Sequence, residues 1–180
     1  MQPIRLRALD AAVDLLGSSG LRALTHARVD ERAGLPRGST SNYFRTRRAL
    51  LTGVVDRIVE RELDEYGPRL APGSAAEFVD GLCILFGQTS GVNRTLTAAR
   101  LALFMEAGHE PAIRDAVVRG RAAMESALLP ALAGLGARDP RTSAAAVMAC
   151  FEGLLLHCIA RHDETDPRPV FSLVVSAALE

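Results

Sequence analysis

Apolar residues recur every three to four positions along most of this chain, and that period predicts helices. Ile4, Leu6, Leu9, Ala12, Val13, Leu15 and Leu16 mark a first helix over 3–18, with Arg5, Arg7, Asp10 and Asp14 mostly on its other face. Gly17, Ser18, Ser19 and Gly20 are expected to break it. A helix over 46–66 carries Leu50, Leu51, Val54, Val55, Ile58, Val59 and Leu63 on one side and mostly charged residues on the other. At some twenty residues it spans about 30 Å. After a two-proline linker, Gly67–Gly73, the pattern predicts helices over 74–89, 93–107, 111–134, 141–161 and 168–179. Pro130 lies inside one of them and predicts a kink or break. No β-branched run of strand length intervenes. The fold class is read as all-α, with about nine helices in total.

One stretch departs from this pattern. Residues 25–48 read THARVDERAGLPRGSTSNYFRTRR. Thr25 suits the N-cap of a short helix whose apolar positions are Ala27, Val29 and Ala33. Gly34 ends that helix, because glycine takes the left-handed conformation without steric cost. Leu35 can turn back into a small core, and Pro36 suits the first turn of a second helix. That second helix holds Arg37, Gly38, Ser39, Thr40, Ser41, Asn42 and Tyr43, with no large aliphatic residue. A helix that buries nothing must meet something polar, and Arg45, Arg47 and Arg48 follow it. A polar helix flanked by cations fits a major groove bordered by phosphates.

At this point the chain resembles the TetR family of transcriptional regulators. The matching residues are Ala11, Ala12, Leu15, Leu16, Gly20, Leu24, Thr25, Val29, Ala33, Gly34, Leu35, Gly38, Tyr43, Phe44, Leu50 and Leu51, in register from Gly20 onward. The resemblance covers about the first third. It implies a helix-turn-helix DNA-binding domain over 1–55, with a three-helix head, and a helical effector-binding and dimerisation domain over 56–180. The expected function is a sequence-specific DNA-binding regulator of transcription. The family's usual mechanism is repression relieved by a small molecule.

Candidate DNA contacts follow from the residue chemistry and the resemblance together. Arginine reads guanine O6 and N7, and asparagine reads adenine N6 and N7, so Arg37, Gly38, Ser39, Thr40, Ser41 and Asn42 form the expected reading segment. Thr25, His26 and Arg28 open the preceding helix and suit a phosphate. The resemblance adds Tyr43 and Arg47 as backbone contacts, with Arg45 and Arg48 as neighbours. Two residues depart from the family pattern: Ser41 stands where tyrosine is frequent, and Asp30 where a small alanine is usual. Asp30 has three open readings: a local cap, a partner for Arg32 or Arg28, or a repulsion toward DNA.

The resemblance also implies an effector cavity in the body. Its expected lining is Phe78, Leu82, Phe86, Leu103, Phe104, Met124, Met148, Phe151 and His157, which favours an apolar or weakly polar small molecule. The helix over 141–161 is apolar on nearly every side. Ala144, Met148, Phe151, Leu155 and Ile159 can face the body, which leaves Val147, Gly153, Leu154, Leu156, His157 and Ala160 to be covered. The resemblance implies that the last two helices pair with their two-fold mates in a homodimer, which suits a palindromic operator.

Charge sharpens this picture. The 180 residues carry no net charge, which at first argues against a DNA partner. The distribution reverses that conclusion: residues 1–50 hold nine arginines against four acids, and residues 51–180 hold twelve against seventeen. A basic head on an acidic body confines the attraction for double-stranded DNA to one end. Three cysteines, Cys83, Cys150 and Cys158, without CxxC spacing, predict neither a disulfide framework nor a zinc knuckle. No signal peptide is visible and no apolar run reaches bilayer length, so a cytoplasmic protein without membrane contact is expected. There is no glycine-rich phosphate loop, GxSxG or HExxH, so neither catalysis, cofactor nor metal is expected. The alternative function is a dimeric helical ligand-binding or scaffolding module without specific DNA binding.

Overall fold

The protein is described by a computed structural model covering residues 2–66, 72–162 and 165–180. The linker expected over Gly67–Gly73 lies, through residue 71, outside the described residues. Among the described residues there are nine α-helices, one short 3-10 turn and no strand. In order they are α1 (Ile4–Ser19), the 3-10 turn (Leu21–Ala23), α2 (His26–Ala33), α3 (Ser39–Tyr43) and α4 (Arg47–Tyr66). There follow α5 (Ala75–Ser90), α6 (Arg94–Ala107), α7 (Pro111–Gly134), α8 (Pro140–Arg161) and α9 (Arg168–Leu179).

The helices form two compact units, one from Met1–Arg61 with Thr95–Gly120, the other from Glu62–Arg94 with Arg121–Glu180. The first unit grows from the apolar stripes of α1 and α4. Leu9, Leu16, Leu24, Leu50 and Ile58 are almost fully buried in it, together with Leu103 of α6 and Ile113 of α7. The α1 helix does not break at Gly17 as expected but continues to Ser19. A Cβ on Gly17 would stand 1.9 Å from the carbonyl oxygen of Thr95, so glycine there permits a close approach to α6 rather than a turn. Across the α1–α4 contact, Arg57 Nε donates to Asp10 Oδ1 at 2.7 Å, and within α4 Arg57 Nη1 donates to Glu60 Oε2 at 2.7 Å.

The second unit is centred on aromatic residues from α5, α8 and α9. Phe86, Phe151 and Phe171 surround one another with ring centroids 5.7 to 6.2 Å apart, and Phe171 is 1 % exposed. The α7 helix runs unbroken through Pro130. Asp139 caps α8, accepting from the N–H groups of Arg141 and Thr142, with Pro140 in the first turn.

Two expectations about α8 are corrected. Val147, expected to be left uncovered, is buried in the core, because the inward face of α8 is set by the packing of α5 and α9. By length and composition, α8 does reach bilayer-spanning dimensions, with a mean hydropathy of 1.7 in its best 18-residue window. Only 22 % of that window is buried. Ala146, Ala149, Leu156, His157 and Ala160 are exposed along it, as are Val170, Leu173 and Ala177 along α9.

Candidate nucleic-acid interface

The site is built on the turn between α2 and α3. Thr25 Oγ1 accepts from the Arg28 N–H at 3.3 Å and caps α2. At the other end Gly34 adopts a left-handed conformation, φ 61° and ψ 40°. The Leu35 N–H then donates back to the Asp30 carbonyl at 2.8 Å. That bond, with Leu35 half-buried against the core, is a Schellman ending. Arg7 of α1 donates to the freed carbonyls of Ala33 (2.7 Å) and Gly34 (3.3 Å). At the start of α2, His26 Nε2 lies 2.6 Å from the Phe44 carbonyl oxygen, so this nitrogen carries the proton and ties α2 to the end of α3.

The α3 helix begins at Ser39 behind Gly38, whose φ of 87° is again left-handed. Gly38 has no side chain to cap the helix, and Asp30 supplies the acceptors from α2. Its Oδ2 accepts from the Gly38 N–H at 2.8 Å; its Oδ1 accepts from the Thr40 N–H at 2.8 Å and from Thr40 Oγ1 at 2.5 Å. Of the three readings left open for Asp30, a cap accounts for these contacts. Arg32 instead pairs with Asp14 of α1, and the Arg28 side chain points outward.

Burial works to raise the Asp30 carboxyl; the hydrogen bonds from Thr40 and Gly38 outweigh it and hold the group below its ordinary value.

The expected contact residues fall into three sets. Arg28, Arg37, Ser41, Asn42, Tyr43, Arg45 and Arg48 are exposed and make no side-chain hydrogen bond or ion pair among the described residues. Gly38 and Thr25 are exposed, and Ser39 is half-buried with its Oγ donating to the Pro36 carbonyl. Thr40, His26 and Arg47 are engaged internally. Thr40 is fully buried under α3, so its side chain holds the turn rather than facing a groove. Arg47 donates to the carbonyls of Leu21 and Leu24 and braces the loop before α2. Arg7 is a member of this framework that sequence reasoning missed. No local signal marks it, since its partner carbonyls lie 26 and 27 positions away. Asp30 did leave a signal: an acid eight to ten positions before a glycine-led helix lacking a cap of its own.

The expected effector residues divide between the units. Phe78, Leu82, Phe86 and Phe151 are buried in the second unit, Met124 and Met148 are half-buried there, and His157 is exposed on α8. Leu103 is buried in the first unit, where Arg100 lies 5.7 Å above the Phe104 ring. A solvent-open hollow of about 110 Å³ in the second unit is lined by Ala122, Glu125, Ser126, Leu129 and Arg141, none of them an expected lining residue.

Comparison with known proteins agrees with this geometry. Residues 8–54 match the family model for bacterial regulatory proteins of the tetR family, and residues 73–180 match that for the C-terminal domain of tetracycline-repressor-like proteins. The HTH-type transcriptional regulator BetI of Klebsiella pneumoniae is 30% identical over 115 residues, covering 62% of this chain and 59% of that protein. BetI 1 of Chromohalobacter salexigens is 32% identical over 114 residues, covering 62% and 56%. The chain thus spans little more than half the length of these curated relatives. A TetR transcription regulator from Haloarcula marismortui superposes with a TM-score of 0.80 at 17% identity, covering 98% of both chains. The multidrug binding protein EbrR, solved with ethidium, gives 0.79 at 22% identity, covering 99% of both. At those identities the likeness is one of fold.

Proposed function

The chain belongs to the tetR family of bacterial regulatory proteins, and on that premise we propose that it regulates transcription as a sequence-specific, DNA-binding homodimer. Residues 1–55 are the DNA-binding domain and residues 56–180 the effector-binding and dimerisation domain. The observation that carries this reading is the outward face of α3 and its flanks. Ser41, Asn42 and Tyr43 are presented on a helix held from behind by Asp30 and His26, after a turn braced by Arg7, with Arg28, Arg37, Arg45 and Arg48 free around it. Polar groups on rigid backbone suit base edges, and unpartnered cations suit phosphates.

Dimerisation through α8 and α9 is supported by their exposed apolar face, where small residues at Ala149, Gly153 and Ala160 allow a partner helix to come close. Two heads related by a two-fold axis require a palindromic operator. A small apolar or weakly polar effector entering the body, at residues drawn from those expected above, shifts the population toward a state whose heads no longer match the half-sites. The α4 helix, which supplies residues to both units, carries that change. Work of this kind places the protein in the cytoplasm and requires no catalysis.

The test is fluorescence anisotropy with DNA from the protein's own upstream region, across salt concentrations and with scrambled competitor. Competitor-resistant binding at one or two dimers per site is expected. Binding that any duplex displaces, and that vanishes with added salt, leaves only the nonspecific phosphate attraction and sinks the reading.

A further inference from the structure

Asp30 lies outside every contact surface proposed above, at 2 % exposure, yet α3 depends on it. A helix of five residues has no stability of its own, and this one starts from a glycine that cannot cap it. Three donors, two N–H groups and one hydroxyl, converge on the two oxygens of a single carboxylate. Only an acceptor-only group satisfies all three, so an amide at this position turns a donor toward a donor. Among the described residues no arginine pairs with Asp30, and its charge is met by these donors.

We propose that Asp30 is a positioning residue for DNA reading: standing on α2, it replaces the cap α3 lacks and sets the register in which Ser41, Asn42 and Tyr43 meet the groove. This rests on the reading of α3 as the DNA-facing helix. One consequence concerns the phosphates. The Gly38 and Thr40 amides are already occupied by an internal carboxylate and the Ser39 amide by the Pro36 carbonyl, so phosphate binding around α3 falls mainly to the free arginines. Loss of Asp30 therefore damages base reading and leaves the nonspecific phosphate attraction intact.

The experiment uses the full chain and a duplex recovered by in vitro selection from a random library with the native protein. Native, Asp30→Asn and Thr40→Ser proteins are titrated with that duplex and with a scrambled one across salt. Asp30→Asn is expected to weaken binding to the selected duplex by about tenfold, with affinity for the scrambled duplex and the salt slope unchanged. Thr40→Ser keeps both donors to Asp30 and is expected to retain the preference for the selected duplex over the scrambled one, which Asp30→Asn loses. Amide hydrogen exchange supplies the structural readout: Gly38 and Thr40 exchange faster in Asp30→Asn, while Val13 and Leu16 in the α1 core stay as protected as in the native protein. Native affinity and base preference in Asp30→Asn overturn the proposal, as does an equal loss on both duplexes, which is the signature of general unfolding. A native protein that selects no duplex overturns the regulator reading, and this inference with it.

Discussion

A single carboxylate shows how much one residue decides here. Burial raises the Asp10 and Asp30 carboxyls, and hydrogen bonds outweigh it in both: from Arg57 and Gln2 at Asp10, from Thr40 and Gly38 at Asp30. A carboxyl whose folded pKa is depressed adds stability above its unfolded pKa, and that stability disappears as pH falls through the folded value. Unfolding free energy is thus expected to hold steady between about pH 7 and 5 and to fall below about pH 4. Denaturant titrations at stepped pH check this. Asp30→Asn lowers stability at pH 7 and flattens the acid slope; an acid slope equal to the native one contradicts the cap. The arginines sort by the same logic. Arg37→Ala, Arg45→Ala or Arg48→Ala each removes a free cation and is expected to lower the salt slope of DNA binding by about one, with the melting temperature unchanged. Arg47→Ala removes the donors to Leu21 and Leu24 and is expected to cost on the order of 1 kcal/mol of stability, read by thermal melting.

At the scale of elements, the short helices hold their places through ends and the long ones through faces. Gly34 at φ 61° lets α2 stop where α3 must start, and Gly34→Ala is expected to cost about 1 kcal/mol through strain at a left-handed position. The α9 helix is held by Phe171, edge-on to Phe86 and stacked on Phe151. Phe171→Ala opens a cavity among three helices and is expected to destabilise the second unit by about 3–5 kcal/mol. Denaturant unfolding followed by circular dichroism reads that loss, and a change under 1 kcal/mol shows that the aromatic cluster does not hold α9.

At the scale of the whole molecule, the question is what covers the outer face of α8 and α9. Leu156 is 46 % exposed and Leu173 72 % exposed, on helices whose polar residues are few. A second copy of the chain covers them in the proposed assembly. Leu173→Arg places a charge in that seam and is expected to convert a dimer into a monomer in sedimentation velocity, with a parallel loss of operator binding. A native protein that sediments as a monomer at micromolar concentration removes the basis for a palindromic operator.

The helices and the helix-turn-helix were legible in the sequence because their causes are local. Apolar spacing near 3.6, a threonine before His26 and a glycine after Ala33 act within a few residues, and they act alike in any surrounding. Gly17 misled for the same reason: a glycine breaks a helix by local rules, and only the approach of Thr95 explains why the helix continues through it. The inward turn of Val147 on α8 depended likewise on which neighbours arrived. Tertiary structure alone decided which arginines face outward and which are bound, because the acceptors of Arg7, Arg32 and Arg47 lie 18 to 27 positions away in the chain. It also decided Asp30. The sequence offered a cap, an ion pair or a repulsion, and the choice among them required knowing which donors the fold brings to that carboxylate.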